Sequence, residues 1–379
     1  MVFFNNSLDK RFLQAIKDEN VGEIKRIIDQ ANADEVTLKI KKSSKEENFP
    51  LFQAVDVGNL NIVNIILDYA NTKNITIEIT EPINKNNNHS VLSRAFINNY
   101  TSIIRVLIEY VKGHQLSWDI NASVEYGSTP LMYATTEKNE EAVQMLMDYA
   151  NDHQLLLNIN MDENVEGYPL LSAVMKDSIE IVKLLMDYAT HHHIILEMNR
   201  KGYHPLSWYP LFIATMNGNE EMVKLLIEYA RKNKIKLELN EKDMFGNYPL
   251  LNVTRGNNTA LVKLFMDYAE EFQIPLDITT LSRDEEQDKD YTPLLNAVIN
   301  ENVSMVKYII DYACKHDIIL EFKEKYLTLL YINSSEQAEK EIINLLSRNE
   351  KEKRIHITFF PNDSDLLKRF EEIREKEKE

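Results

Sequence analysis

With a single cysteine, Cys314, the 379-residue chain has no means of forming an internal disulfide, which fits a reducing compartment. Basic residues are short as well, 43 against 60 acidic ones, for a formal net charge of −17. So negative a surface repels phosphate backbones, which argues against nucleic acid and anionic membranes as partners. No apolar run approaches the length that spans a bilayer. The opening MVFFNNSLDK has three apolar residues after Met1 and no basic lead-in, so it does not read as a secretory signal. A nucleophile with its base, a phosphate-cradling loop, a metalloprotease helix and a kinase motif set are all missing. The apolar (44%) and charged (27%) fractions are those of an ordinary folded protein. The expectation is a soluble, intracellular, cytoplasmic protein, with the nucleus as the alternative, needing no cofactor and no metal.

What is present is repetition. The stretch GNYPLLNVTRGNNTALVKLFMDYA (246–269) recurs in altered form along the chain. Copies read FPLFQAVDVGNLNIVNIILDYA (49–70), TPLMYATTEKNEEAVQMLMDYA (129–150), GYPLLSAVMKDSIEIVKLLMDYA (167–189), YPLFIATMNGNEEMVKLLIEYA (209–230) and TPLLNAVINENVSMVKYIIDYA (292–313), with a weaker one at 90–111. The small anchor residues are Ala15, Ala54, Ala95, Ala134, Ala173, Ala214, Val253 and Ala297, spaced by 39, 41, 39, 39, 41, 39 and 44 residues. A fixed period of this size marks a stacked array.

Each copy reads as two helices. Pro249 suits the first helical position, where its missing N–H costs nothing. Leu250, Leu251 and Val253 begin an apolar face, and the small anchor lets neighbouring elements approach closely. Arg255 to Asn258 break the pattern as a polar turn does. Leu261, Val262, Leu264, Phe265 and Met266 restore helical spacing. Such a hairpin cannot bury its apolar face alone, so stability depends on neighbouring copies.

Asp243, Gly246, Tyr248, Pro249, Leu250, Val262, Phe265 and Met266, with Gly127, Thr129, Pro130, Leu131 and Ala134, give the unit a pattern that resembles the ankyrin repeat. The resemblance covers residues 10 to 313. It implies an all-α, ankyrin-like α-solenoid of helix-turn-helix repeats with short extended or hairpin finger segments, and a non-catalytic protein-binding scaffold. It departs from the family in three ways. The His that follows Pro-Leu in the family is Met132, Leu171, Phe212, Leu251 or Leu295. The glycine that ends helix 2 is alanine (Ala70, Ala150, Ala189, Ala230, Ala269 and Ala313), so helix 2 is expected to continue for another turn. After it comes an alternating stretch, such as ITIEIT (75–80), LLLNIN (155–160), IKLELN (235–240) and IPLDIT (274–279), whose period of two predicts an extended segment with one buried face.

In the family, partners lie along the concave surface made by helix 1 and the fingers. Unrepeated residues there should set specificity: Tyr126, Met175, Lys176, Tyr203, Trp208, Met216, Met244, Phe245, Arg255, Asp284, Glu285 and Glu286. The aromatic residues and methionines suit interface anchors, and the acidic finger suits a protein partner with a basic surface. No nucleic acid and no membrane enter this reading, and the chain is expected to act as a monomer. The alternatives are an effector or enzyme-inhibitor type of protein working through its C-terminal tail, or an enzyme with an unrecognised site.

Three repeated columns call for structural rather than functional readings. Acids at one helix-2 position (Asp29, Asp68, Glu109, Asp148, Asp187, Glu228, Asp267 and Asp311) are expected to pair with Lys25, Arg105, Lys183, Lys224, Lys263 and Lys307 four residues earlier, rather than to bind a basic partner. A tyrosine column (Tyr69, Tyr110, Tyr149, Tyr188, Tyr229, Tyr268 and Tyr312) is expected to pack between repeats, each hydroxyl reaching water or a polar group. His191, His192 and His193, with His153 one repeat before, point in different directions and read as a polar turn rather than a metal site.

The organisation expected is an N-terminal capping repeat and linker at 1–46, an array at 47–325, and a degenerate capping repeat with a charged tail at 326–379. The first repeat, 10–31, lacks the Pro-Leu start. EPINKNNNH (81–89) and TTLSRDEEQDKDY (279–291) read as fingers, and 200–209 carries Tyr203 and Trp208 as exposed aromatics. LTLLYINSSEQAEKEIINLLSR (327–348) reads as a final degenerate repeat and IHITFF (355–360) as a small apolar patch. Ser364 is placed to cap a helix with a face of Leu366, Leu367, Phe370 and Ile373.

Overall fold

The computed structural model describes all residues except 1, 42–48, 84–88, 125–126, 161–166, 203–207, 285–288, 324–335, 353 and 359–379. Most of the polar stretch KKSSKEE (41–47), expected as a connection, part of the 81–89 finger, the first half of the last repeat and the tail helix lie outside the described residues. The chain divides into two compact units, Met1–Leu196 and Glu197–Glu379.

The first unit holds five helix pairs: α1 (Val2–Lys17) with α2 (Val21–Ala33), α3 (Pro50–Asp56) with α4 (Leu60–Thr72), α5 (Val91–Ile97) with α6 (Thr101–His114), α7 (Pro130–Thr136) with α8 (Glu140–Asp152), and α9 (Pro169–Met175) with α10 (Ile179–His191). The second holds α11 (Pro210–Met216) with α12 (Glu220–Lys232), α13 (Pro249–Arg255) with α14 (Thr259–Glu271), α15 (Pro293–Ile299) with α16 (Val303–Lys315), and then α17 (Glu336–Lys351). Within each unit the first helices pack on one another in sequence order, and so do the second helices. This is the helix-turn-helix repeat fold that the periodicity predicts.

Local chemistry accounts for the boundaries. Proline opens α3, α7, α9, α11, α13 and α15 at the first helical turn. Asn20, Asn59, Asn139, Ser178, Asn219, Asn258 and Asn302 cap the second helices, each side chain accepting the N–H three residues on. The anchors from Ala15 to Ala297 are all buried. α1 begins at Val2, well before the expected start at Lys10.

Helix 2 does run past the recurring alanine, as expected, but a left-handed residue still stops it. Glu35, Asn74, Gln115, Gln154, His193, Lys234, Gln273 and Asp317 all have φ between +51° and +56°. In each of these turns the next N–H returns to an earlier carbonyl, as Ile75 does to Ala70 at 2.8 Å. The tight turn fixes the backbone, and side chains other than glycine bear the strain of roughly 1–2 kcal/mol.

The alternating stretches are extended with one face buried: Leu38 and Ile40, Ile77 and Ile79, Leu157 and Ile159, Leu237 and Leu239, Leu276 and Ile278. They do not pair as strands. Side chains of the neighbouring repeats satisfy them instead. The hydroxyls of Tyr69, Tyr110, Tyr188 and Tyr312 each accept the N–H of the first buried residue, Leu38, Ile77, Leu157 and Leu276, at 3.0 Å. The tyrosine column thus bridges repeats, as expected. From the other side, Asn121 donates to Leu156 O and accepts Asn158 N–H. Asn199 does the same with Lys236 and Glu238, and Asn240 with Pro275 and Asp277. One side-chain amide, spanning a donor and an acceptor, does the work of a strand ladder.

Two short sheets occur among the described residues. β1 (Ser282–Asp284) and β2 (Lys289–Tyr291) form an antiparallel hairpin in the expected finger. β3 (Leu320–Lys323) pairs in parallel with β4 (Ile355–Thr358), so the apolar patch at 355–360 contributes a strand.

Candidate interaction surface

Once stacking has consumed the repeated residues, the exposed apolar side chains stand out. In the second unit Met216, Met244, Phe245, Leu281, Ile299, Tyr308 and Ile319 are exposed. Met244 (70%) and Phe245 (55%) sit at the tip of the finger 241–247, and the loop beneath them is locked. Asp243 Oδ1 accepts the N–H groups of Phe245 (2.9 Å) and Asn247 (2.8 Å), while Asp243 N–H donates to Asn247 O (2.9 Å). Gly246 N–H donates to Asp243 O, and its φ of +80° is the conformation glycine adopts most readily.

Asn247 ties this finger to its neighbours. Its amide oxygen receives Arg255 Nη2 (3.2 Å), and the single proton of Ser282 Oγ lies within reach of both Asn247 Oδ1 (3.0 Å) and Phe245 O (3.1 Å). The Arg255 guanidinium lies 5.2 Å over the Tyr291 ring. The finger and the β1–β2 hairpin are therefore fastened together beside the end of α13. At the base, Lys242 pairs with Asp277 (2.7 Å). Burial of Asp277 acts to raise its pKa, but bonds from Lys242, Thr280 and two backbone N–H groups outweigh it and hold the carboxyl at about 2.

The residues singled out in the sequence fall unevenly. Met216, Met244, Phe245 and Arg255 are exposed in the second unit, and Met175 and Lys176 in the first. Trp208 is not an open tip residue: it is half-buried, and its carbonyl accepts Gly202 N–H at 2.8 Å. Asp284 ends β1. Tyr126, Tyr203, Glu285 and Glu286 lie outside the described residues. Leu281 and Ile299, outside that set, are exposed as well. Ile299 stands two residues after its anchor, as Met175, Met216 and Arg255 do, and that column varies while the anchors stay constant.

The pairing expected for the helix-2 acids does not form. Arg105 pairs with Glu141 of the next repeat, Lys183 with Glu180 and Lys224 with Glu220. Lys25, Lys263 and Lys307 have no ion pair among the described residues. Flexible ammonium groups in water choose among several carboxylates of nearly equal energy, and spacing alone does not decide between them. The histidines serve as end pieces of helix 2. His114, His153, His192 and His316 lie against Tyr110, Tyr149, Tyr188 and Tyr312, with ring centroids 3.9–4.2 Å apart. Among the described residues no group of three or more His, Cys, Asp or Glu is arranged to hold a metal ion, and no helix is long and apolar enough to cross a membrane.

Comparison with known proteins agrees with this architecture. The family described as "Ankyrin repeats (3 copies)" matches residues 76–156, 151–236 and 211–320. No curated protein matches the chain. Among solved structures, the ankyrin repeat domain of Bcl-3, a member of the IkappaB protein family, is 18% identical with a TM-score of 0.42, covering 70% of this chain and 100% of that one. The human ASB11 ankyrin repeat domain is 17% identical with a TM-score of 0.42, covering 65% and 90%.

Proposed function

The chain belongs to the ankyrin repeat family, whose members are generally protein–protein interaction modules, and from that premise we propose that it is a non-catalytic scaffold. Its partner, a protein, docks on the finger and helix-1 face of the second unit. The observation that carries this reading is the locked finger with Met244 and Phe245 at its tip. Holding two large apolar side chains in water forgoes roughly 1.5–3 kcal/mol each, and a preordered loop recovers that on binding without a further ordering cost. Met216, Leu281 and Ile299 extend the apolar area, as exposed patches at binding sites do. The net charge of −17 favours a partner with a basic surface. The protein acts in this reading as a cytoplasmic monomer.

The test is photo-crosslinking in cells from p-benzoylphenylalanine placed at Phe245, beside the same probe at Lys263 on α14. A discrete protein adduct from Phe245 that weakens with Met244→Ser supports the proposal. Adducts from Lys263 alone would move the site to helix 2. Adducts from neither position would remove the scaffold reading.

A further inference from the structure

The last described segment is closed differently from four earlier ones. In those four, a buried aliphatic residue of the extended segment gives its N–H to a tyrosine hydroxyl of the next helix 2. Leu320 is that residue in the last described segment and is equally buried. The next described helix is α17, whose Ile342, Ile343, Leu346 and Ser347 take the buried places held by Met305, Val306, Ile309 and Ile310 in α16. In that register the place of Tyr312 falls to Asn349, whose short side chain donates to Leu345 O within its own helix. Leu320 N–H goes instead to Arg354 O (3.2 Å), and β4 runs beside β3 in the register Leu320 to Ile355 through Lys323 to Thr358. Ile355 is buried, while His356 stays exposed and faces Glu321 at 2.9 Å.

We propose that the edge of β3 is a strand-accepting site, closed in the resting chain by β4. The incoming partner is an extended peptide in which aliphatic residues alternate with basic ones. The edge chooses that chemistry itself: backbone groups pair with any strand, a pocket takes the aliphatic side chain at the Ile355 position, and Glu321 selects a cation between them. An unpaired edge invites another chain, and a ladder of only four residue pairs holds it against a competitor weakly. This site is independent of the finger surface.

The probe is a labelled peptide with the sequence of residues 353–360, KRIHITFF, titrated into the full chain by fluorescence anisotropy. In a parallel ladder with Leu320 donating to Arg354, the His356 N–H returns to Leu320 O, so His356→Pro opens the edge. The variant should bind the peptide one to one and at least about tenfold tighter than the unaltered chain, because removing the resident strand raises the competent population. A peptide N-methylated at its histidine should lose that binding. Equal binding by both proteins, no binding by the variant, or full binding of the methylated peptide would each overturn the proposal. Circular dichroism checks the helices; if His356→Pro disturbs them, Ile355→Asp is measured in its place and judged the same way.

Discussion

Replacing Tyr188 with phenylalanine removes one oxygen and keeps the ring, so it asks whether the tyrosine column is a hydrogen-bonding device or packing alone. The hydroxyl accepts Leu157 N–H at 3.0 Å, and both residues are at least 96% buried. The ring keeps its contact with His192, whose centroid is 4.2 Å away. A neutral hydrogen bond contributes about 1 kcal/mol net, and a buried N–H left without an acceptor costs about 1–3 kcal/mol. We therefore expect a loss of about 2 kcal/mol at this junction. Because a repeat array loses stability at the affected interface first, the decisive readout is hydrogen exchange at the Leu157 amide, which should speed up by about 10- to 100-fold at a tenfold change per 1.4 kcal/mol. Tyr308→Phe, on an exposed side chain, is the control and should stay within about 0.5 kcal/mol of the parent. Unchanged Leu157 exchange, with both variants melting alike, would refute the reasoning and leave the hydroxyls with no part in joining repeats.

The same tyrosines predict an alkaline limit. Burial raises Tyr69, Tyr110, Tyr188 and Tyr312 above the ordinary value and Tyr268 to about 12. The unfolded chain therefore ionises first, and stability that is intact below about pH 10 falls as the pH rises toward about 12; tyrosinate absorbance at 295 nm should climb together with loss of helix, and a rise near pH 10 with the helices intact would contradict this. Asn240→Ala should cost about 1–3 kcal/mol in urea unfolding, since it strands Pro275 O and Asp277 N–H. Asn240→Asp, which keeps the acceptor but not the donor, should recover only part of the loss. Gly218 and Gly58 occupy the same left-handed position, which six other repeats fill with Glu19, Asn99, Lys138, Asp177, Asn257 and Glu301. A Cβ at Gly218 meets nothing within 4 Å, so Gly218→Asn should be neutral or stabilising by up to about 1 kcal/mol. At Gly58 a Cβ would lie 2.6 Å from the Tyr100 ring, so Gly58→Asn should lower the melting temperature.

Much of this fold was legible because its strongest signals repeat. Anchor spacing, proline starts, alternation after helix 2 and the tyrosine column each follow from burial that recurs in register. What escaped notice was chemistry decided between repeats. The asparagine ladder was visible as the terminal residue of Asn121, Asn160, Asn199 and Asn240, but read within one repeat an asparagine after a strand signals only a turn. The acid and lysine columns failed for the opposite reason: spacing within one helix suggested partners, while exposed charges also had neighbouring helices to choose from. The helix stops escaped because the expected marker was glycine, whereas the surrounding turn imposes the left-handed backbone on whatever residue stands there. At the surface, the exposure of Met216, Met244 and Phe245 could be read from their departure from the repeat. The half-burial of Trp208 could not, since a tryptophan in a polar stretch does not reveal that its own backbone closes the loop.

The way the extended segments are joined explains why the surface is free to vary. A backbone ladder between repeats would tie the fingers into one sheet, and a change of finger length would shift its register. Here the junction at 276–277 depends on one tyrosine and one asparagine, both carried on positions remote from the finger tips, so a finger can lengthen from 241–247 to 279–291 without altering how Leu276 meets Tyr312 or how Asp277 meets Asn240. Two segments are closed differently. At the first extended segment, Asp9 from the lengthened α1 accepts Lys39 N–H at 3.0 Å in the place of an asparagine. At the last described segment Asn349 stands at the tyrosine position of α17, and β4 supplies a backbone carbonyl to Leu320. Asp9 is a single acceptor fixed on a helix, whereas β4 presents a full strand edge, so of these two segments the second is the one chemically suited to exchange its cover for another chain.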